Sequence, residues 1–508
     1  MLARLNSLTL SGIEGHICEV EVHISGDDTR LLIVGLPDAA IKESCERVRS
    51  ALINSGFKYP FEQITVNLAP ADLKKEGPAF DLSIGVGILS ASGAVQLEGL
   101  KNEIMVGELA LDGRVRPVNG VLSMAMSAKA AGFERMIVPI ENAPEAAVVQ
   151  GIDIFGVGSL TEAVGFLSGN LPIEPTYTDI DKLFEIKRKY DIDFEDVKGQ
   201  ETVKRALTIA AAGGHNVMMM GPPGSGKTML SKRVASILPE LSLEESLETT
   251  RIYSSVGLLE REQALIATRP FRSPHHSASA PALIGGSAHP RPGELSLAHH
   301  GILFLDEFPE FSRNVLETIR QPLEDSQVTI ARAQATVTFP ADFMLIASAN
   351  PCPCGYYGST QKECRCTPAQ IEKYLSKLSG PLLDRIDIQI EVPAVDYRAL
   401  RNKAKGQSSA SMRGQVNQAR NVQRNRFKGD SRRVNAGMSH REIEVFCELE
   451  PKSELMLKSA MNDLSLSARA HDKICKLART IADLAGSEAI RPEHIGEAVS
   501  YRRLDKMF

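Results

Sequence analysis

The segment Gly221-Pro222-Pro223-Gly224-Ser225-Gly226-Lys227-Thr228 carries residue types and spacing that can do chemistry on a phosphate. It follows the apolar run Val217–Met220 and precedes a helical pattern, the context in which G-x-x-x-x-G-K-[ST] forms a P-loop. The glycines let backbone N–H groups curl around a polyphosphate, and the following helix N-terminus adds a favourable dipole. Gly221 to Met229 is therefore the expected ATP cradle, with Lys227 reaching the β- and γ-phosphates and the Thr228 hydroxyl on Mg²⁺. Downstream, the apolar run Ile302–Leu305 ends in Asp306-Glu307. Asp306 suits the same Mg²⁺, and Glu307 is placed to orient or deprotonate the attacking water. A third run, Phe343–Ala347, delivers Asn350, a neutral side chain able to position that water. Three strand ends converging where α/β sheets bind ligands point to ATP hydrolysis.

A second constellation is metallic. Cysteine is sparse, eight in all, and four of those form Cys352-Pro-Cys354 and Cys364-Arg-Cys366. Two tight thiolate pairs suit a closed tetrahedral Zn²⁺ holding a loop too polar to pack unaided. Four free cytosolic thiols are the plainer reading of the same residues. His275-His276 and His299-His300 are weaker candidates, because adjacent residues rarely aim at one ion.

Charge gives a third. The chain has 58 Lys and Arg against 63 Asp and Glu, net −5, yet between Arg398 and Arg433 eleven basic residues face one acidic residue, Asp430. On a helix there, Met412, Val416, Ala419 and Val422 would form a core stripe, with Arg413, Arg420 and Arg424 on a neighbouring face. Phosphate binding is the favoured account of that imbalance, against a solvated face. Ser326–Arg332 and Ala335–Phe339 read as a hairpin with Arg332 near its tip, a phosphate contact or an exposed charge.

These sites need elements to hold them. At 508 residues, with 43% hydrophobic and 24% charged, the chain is globular and longer than one core. Residues 1–170 alternate strands and helices; Ile41, Cys45, Val48 and Leu52 mark one apolar helix stripe after Pro37. Residues 171–196 read as a linker, 197–395 as a second α/β unit, and 396–508 as helical. No run is apolar enough to span a membrane, no secretory leader is evident, and cysteine usage suits a reducing compartment, so a cytoplasmic location is expected.

DFEDVKGQ before the P-loop, the Asp-Glu strand, the SAN strand and GPLLDRIDI resemble AAA+ ATPases. PFRSPHHSAS and HHGILFLDEF narrow the resemblance to the magnesium-chelatase-like branch beside the MCM helicases. Over nearly its whole length the chain resembles the ComM/YifB family of hexameric branch-migration helicases of natural transformation. The resemblance implies an α/β fold: a Lon-protease-like N-terminal domain, an AAA+ core with MCM/chelatase-type insertions, and a C-terminal helical lid. It implies that Val197 and Gln200 line the adenine pocket, that Arg385 is an arginine finger entering a neighbour's site, and that Arg469 is a second sensor on the lid. From the residues alone, Arg385 pairs equally well with Asp384 or Asp387, and Arg469 fits a solvated helix face. Partners implied are single- and double-stranded DNA, branched junctions, recombinase-coated DNA and further copies of the chain in a homo-hexamer. In the Lon-like domain the catalytic Ser position falls on Ala79 and the Lys position on Leu122, which leaves acyl transfer no starting point. Alternatives are a magnesium-chelatase-type motor subunit and a protein-remodelling ATPase.

Overall fold

The computed structural model describes the chain except for residues 27–29, 98–99, 188–189, 261–262, 287–289, 332–335, 359–361, 395–405, 429–432, 465–466 and 503–508. It divides into two compact units, Met1–Lys187 with Ser242–Ala267, and Arg188–Leu241 with Thr268–Phe508.

The first unit is built on strands β1 (Leu2–Ser11), β2 (Glu14–Ser25), β3 (Leu31–Val34), β4 (Gln63–Ala69), β5 (Glu103–Met105), β6 (Glu108–Leu109), β7 (Val115–Arg116), β8 (Arg135–Pro139) and β9 (Asp153–Val157). Seven of them form one sheet in the order β3-β4-β2-β1-β5-β8-β9, and β6 pairs with β7. The helix Ala39–Asn54 starts at Asp38, whose carboxylate accepts the Ile41 N–H at 2.8 Å, and it buries Ile41, Val48 and Leu52 as their spacing predicts.

The continuous second unit expected over 197–395 is interrupted, because Ser242–Ala267 belongs to the first unit. There Ser242 and Glu245 close a capping box on the helix Leu243–Ser255. Arg251 on that helix donates to Ser123 Oγ at 3.2 Å, Ile13 O at 3.1 Å and Glu14 at 2.9 Å. Buried Glu145 accepts from Ser254 and from the Leu122 N–H. The expected linker is also partly structured. Ile180 and Phe184, on the helix Ile180–Lys187, are buried in a hydrophobic cluster of this unit.

The second unit carries β10 (Val217–Met220), β11 (Phe271–Arg272), β12 (Ile302–Leu305), β13 (Gln327–Ala331), β14 (Thr336–Pro340), β15 (Met344–Ala349) and β16 (Ile388–Glu391). The main sheet runs β11-β12-β15-β10-β16, all parallel. Its central strands β10, β12 and β15 are buried at every residue, which is why they read as unbroken apolar runs and not as alternation. Antiparallel β13 and β14 form the expected hairpin, with Val328, Ile330 and Phe339 buried and Gln327, Thr329 and Thr338 exposed. Helices from Ser409 onward complete the unit. The helix Ser409–Arg426 buries Met412, Val416, Ala419 and Gln423, whereas Val422 is 42% exposed. The helical spacing continues through a polar residue, which is paid for by hydrogen bonds: Gln423 donates to Ala212 O and accepts the Asn435 N–H, both at 3.0 Å.

Candidate functional site

Strand register builds the site. Met220 pairs with Ala349, and Leu305 with Ala347, so Gly221, Asp306 and Asn350 leave the sheet at one edge. Asp306 and Asn350 line a cavity of about 450 Å³ with Pro223 to Met229, Glu307, Ser348 and Ala349. Gly224 and Gly226 have φ of 77° and 89°, left-handed values that bend the loop before the helix Lys227–Val234. Lys227 Nζ donates to Gly221 O at 2.8 Å, Pro222 O at 3.0 Å and Asn350 Oδ1 at 3.3 Å. Burial lowers the Lys227 pKa, while the Asp306 and Glu307 charges act in the opposite sense. Thr228 Oγ1 donates to Asp306 Oδ2 at 2.8 Å, which places the two expected Mg²⁺ ligands together. Residues of this chemistry can hold ATP and Mg²⁺ and present a carboxylate, Glu307, to a water.

Two members of the site were not read from sequence. Ser348 donates to Asp306 Oδ1 and fixes the carboxylate that Thr228 also holds. Its place two residues before Asn350 on an apolar strand was the available signal. His276 Nδ1 lies 3.2 Å from Glu307 Oε2, a contact that joins two loops and has no local signature. Gln200 sits beside the cradle, donating to Ser225 O at 2.8 Å and Pro393 O at 3.2 Å. Val197 is fully buried in the hydrophobic core and does not line the cavity.

The two arginines lie apart from these lining residues. Arg385 bonds neither Asp384 nor Asp387; its guanidinium donates to Pro381 O at 2.6 Å and to Glu324, just before the β13–β14 hairpin. Asp384 instead pairs with Arg469 at 3.1 Å. Burial and then the neighbouring Arg320 and Arg469 charges lower the Arg385 pKa. Both guanidinium groups already have a carboxylate partner, Glu324 for Arg385 and Asp384 for Arg469, so a phosphate that met either would exchange one anion for another.

The four cysteines converge, all sulfurs within 4.8 Å of one another. Cys352 lies 3.3 Å from Cys354 and 3.7 Å from Cys364, and Cys354 lies 3.6 Å from Cys364. Tetrahedral Zn–S bonds of about 2.3 Å put sulfurs ~3.8 Å apart, so the set fits zinc. The Arg365 and Tyr356 backbone N–H groups pull the Cys354 thiol down to about 6, while Cys364 and Cys366 are pushed up despite a lowering backbone N–H each, by burial and the neighbouring sulfurs, so without a cation the set does not hold four thiolates. The loop also reaches the cradle. A Cβ on Gly355 would stand 2.6 Å from Pro223 Cδ and 3.9 Å from Asn350 Cγ.

Of the expected DNA contacts, Arg332 lies outside the described residues. Arg420 is turned inward, donating to Ala211 O at 2.8 Å, and so cannot face a phosphate while it holds that helix end. Arg424 is exposed and Arg413 partly so. Leu283 is buried in the helix Ala280–Ile284.

In the first unit, Ala79 and Leu122 are both buried in one apolar cluster, where a protease would need its nucleophile and base. Nearby Lys75 donates to Pro70 O, and burial raises the Cys18 thiol to about 11, far from a reactive thiolate.

Comparison with known proteins gives three family matches: "Magnesium chelatase, subunit ChlI" over residues 193–400, "Subunit ChlI of Mg-chelatase" over 20–142, and "Magnesium chelatase, subunit ChlI C-terminal" over 406–502. The chain is 44% identical to Competence protein ComM of Haemophilus influenzae over 511 residues, covering 100% of this chain and 98% of the relative. The chain belongs to the ComM/YifB family. YifB of Escherichia coli is 44% identical over 498 residues, 98% of this chain and 96% of the relative. Lon protease 2 of Bacillus subtilis is 27% identical over 200 residues, 35% of each chain. The fold is thus α/β, with a magnesium-chelatase-type AAA+ domain, partial Lon similarity and a helical C-terminal region, and ATPase chemistry accords with the cavity described. Among the described residues no helix is long and apolar enough to cross a membrane.

Proposed function

We propose that the chain is an ATP-hydrolysing motor that assembles as a homo-hexamer and drives DNA branch migration. In this reading it helps incoming single-stranded DNA integrate by homologous recombination during natural transformation. The observation that carries the assembled motor is the division of charge. The P-loop cavity is lined by Lys227 as its only cation among the described residues, while Arg385 and Arg469 stand together elsewhere on the chain. An arginine supplied by a neighbouring subunit completes such a site and makes hydrolysis depend on assembly. The DNA substrate is supported by full-length likeness to Competence protein ComM and by the basic residues around Arg413 and Arg424. The expected result is ATP-dependent unwinding of a forked, labelled DNA, absent with Glu307→Gln. ATP turnover that DNA neither stimulates nor couples to unwinding would remove the helicase reading. The family matches to a magnesium chelatase subunit favour a second reading, a motor serving a porphyrin-metallating partner, and in that case DNA leaves turnover unchanged.

DNA contact is assigned to Arg413 and Arg424 and not to Arg420. Reversing both charges weakens DNA binding and lowers the salt slope by about 2, with sequence preference unchanged. An unaltered slope would count against this surface.

The four cysteines hold structural zinc in this reading, with no open position for chemistry. Purified protein is expected to contain about one zinc per chain. Even a third of the ~10 kcal/mol that structural zinc supplies corresponds to a drop of roughly 6–12 °C in thermal midpoint for a domain of this size. Cys352→Ser and Cys364→Ser should show that drop together with lost turnover, because the loop abuts Pro223 and Asn350. Metal-free protein with an unchanged midpoint would overturn the assignment.

A further inference from the structure

The loop Arg385-Ile386-Asp387 is gripped from two directions. Asn216, the residue before β10, donates its Nδ2–H to the Arg385 carbonyl at 2.9 Å. Its Oδ1 accepts the Leu345 N–H of β15 at 2.8 Å. Its own carbonyl accepts the N–H groups of Asp387 and Ile388, both at 3.0 Å. From the helix Ala468–Leu484, Lys473 donates to Ile386 O at 2.9 Å and lies 3.5 Å from the Asp387 carboxylate. Arg502 donates to the same Ile386 carbonyl at 2.6 Å. His215, fully buried, joins both sides: Nδ1 is 3.2 Å from Asp387 Oδ2 and Nε2 is 2.9 Å from Thr480 Oγ1. Burial opposes ionisation of Asp387, but Lys473 and His215 outweigh it and hold the carboxyl well below its ordinary range.

Two of the elements meeting at this loop are strands that lead to the nucleotide site. Asn216 immediately precedes β10, which leads into Gly221, and Leu345 lies on the strand that delivers Asn350. Lys473 and Thr480 belong to the C-terminal helices. Asn216 and Lys473 thus tie the Arg385 loop to both strands and to that helix, so a shift of any of them bears on the Arg385 backbone. The guanidinium is held by Glu324 and Pro381 O, so loop orientation sets what Arg385 offers to a partner.

We infer that Asn216 and Lys473 are positioning residues for Arg385, through which the nucleotide held in one chain sets the arginine presented to the next. The inference rests on the shared-site reading proposed above. Asn216 fixes the loop to the P-loop and Asn350 strands, and Lys473 fixes it to the lid helix. Neither lines the P-loop cavity.

Two substitutions test this on the full-length protein. Asn216→Asp keeps the acceptor for Leu345 N–H and removes the donor to Arg385; Lys473→Met keeps side-chain length and removes the charge. Each should lower ATP turnover about 10- to 100-fold, the scale expected when a catalytic group is misplaced by about 1 Å. Binding of a fluorescent ATP analogue should stay within about threefold of wild type, and Lys473→Arg should recover part of the turnover. The deciding readout is subunit mixing with Lys227→Ala, which is inactive alone through its own P-loop. A mixed assembly pairs the variant's sound P-loop with a sound Arg385 loop, so turnover should reappear. Arg385→Ala mixed with Lys227→Ala is the control. If the control regains activity and the Asn216 and Lys473 mixtures do not, the inference is overturned. If the control itself stays silent, the shared-site reading fails and the inference falls with it. Loss of nucleotide binding in Asn216→Asp would instead assign that residue to its own P-loop and also overturn it.

Discussion

Arg385→Ala lowers ATP turnover by roughly 10³-fold or more while ATP still binds, the range over which arginine fingers act. Lys227 faces Asp306 and Glu307, so the lining is already net acidic before a triphosphate arrives. Mg²⁺ on Thr228 and Asp306 would offset part of that charge, leaving the charge on the transferring phosphoryl group short of a donor. Arg385, 11% exposed beside Arg320 and Arg469, has its charge met within the chain by Glu324. A neighbour's Arg385 would supply that donor by exchanging Glu324 for the phosphoryl oxygens, since no arginine of the chain's own described residues lines the cavity. Turnover should therefore rise steeply with protein concentration in the wild type and stay low at all concentrations in the variant. Wild-type turnover in Arg385→Ala would show that the arginine does no more than hold Glu324.

Glu307→Gln abolishes steady hydrolysis, a fall of about 10²- to 10⁴-fold, as expected when a general base is removed. The amide keeps the side chain's size and can still meet His276, so nucleotide binding and assembly should persist. Lys227→Ala should differ by losing binding itself, because its Nζ bridges Gly221, Pro222 and Asn350 at the phosphate end of the cavity. The pair of variants separates chemistry from binding when turnover and analogue affinity are measured side by side. Equal loss of affinity in both would place Glu307 in the binding of nucleotide and not in the activation of water.

The parts of the site legible in sequence lie within single segments. The glycines, Lys227 and Thr228 sit in one loop; Asp306 and Glu307 close one strand; the cysteines sit in one loop. In such segments residue spacing fixes which atoms meet. The helix stripe at Ile41, Val48 and Leu52 is readable for the same reason. Where local spacing admitted two answers, packing chose. Gln423 replaced Val422 in the buried stripe because its amide finds Ala212 O and Asn435 N–H. Arg420, on the same side of the helix as the expected DNA face, turned inward because Ala211 offers an unpaired carbonyl near a helix end.

By itself, then, the sequence determined a P-loop, its acidic strand end, its neutral sensor strand and a tight cysteine set, each by chemistry carried along one element. Only the tertiary structure decided that Ser348 and His276 join the site and that Arg469 stands with Asp384 beside Arg385. It also decided that Ser242–Ala267 folds with the first unit, and that Asn216 and Lys473 grip the arginine loop. These contacts join segments far apart in the chain. Their existence depends on how parallel strands align and which helix face is covered, and no local spacing encodes either.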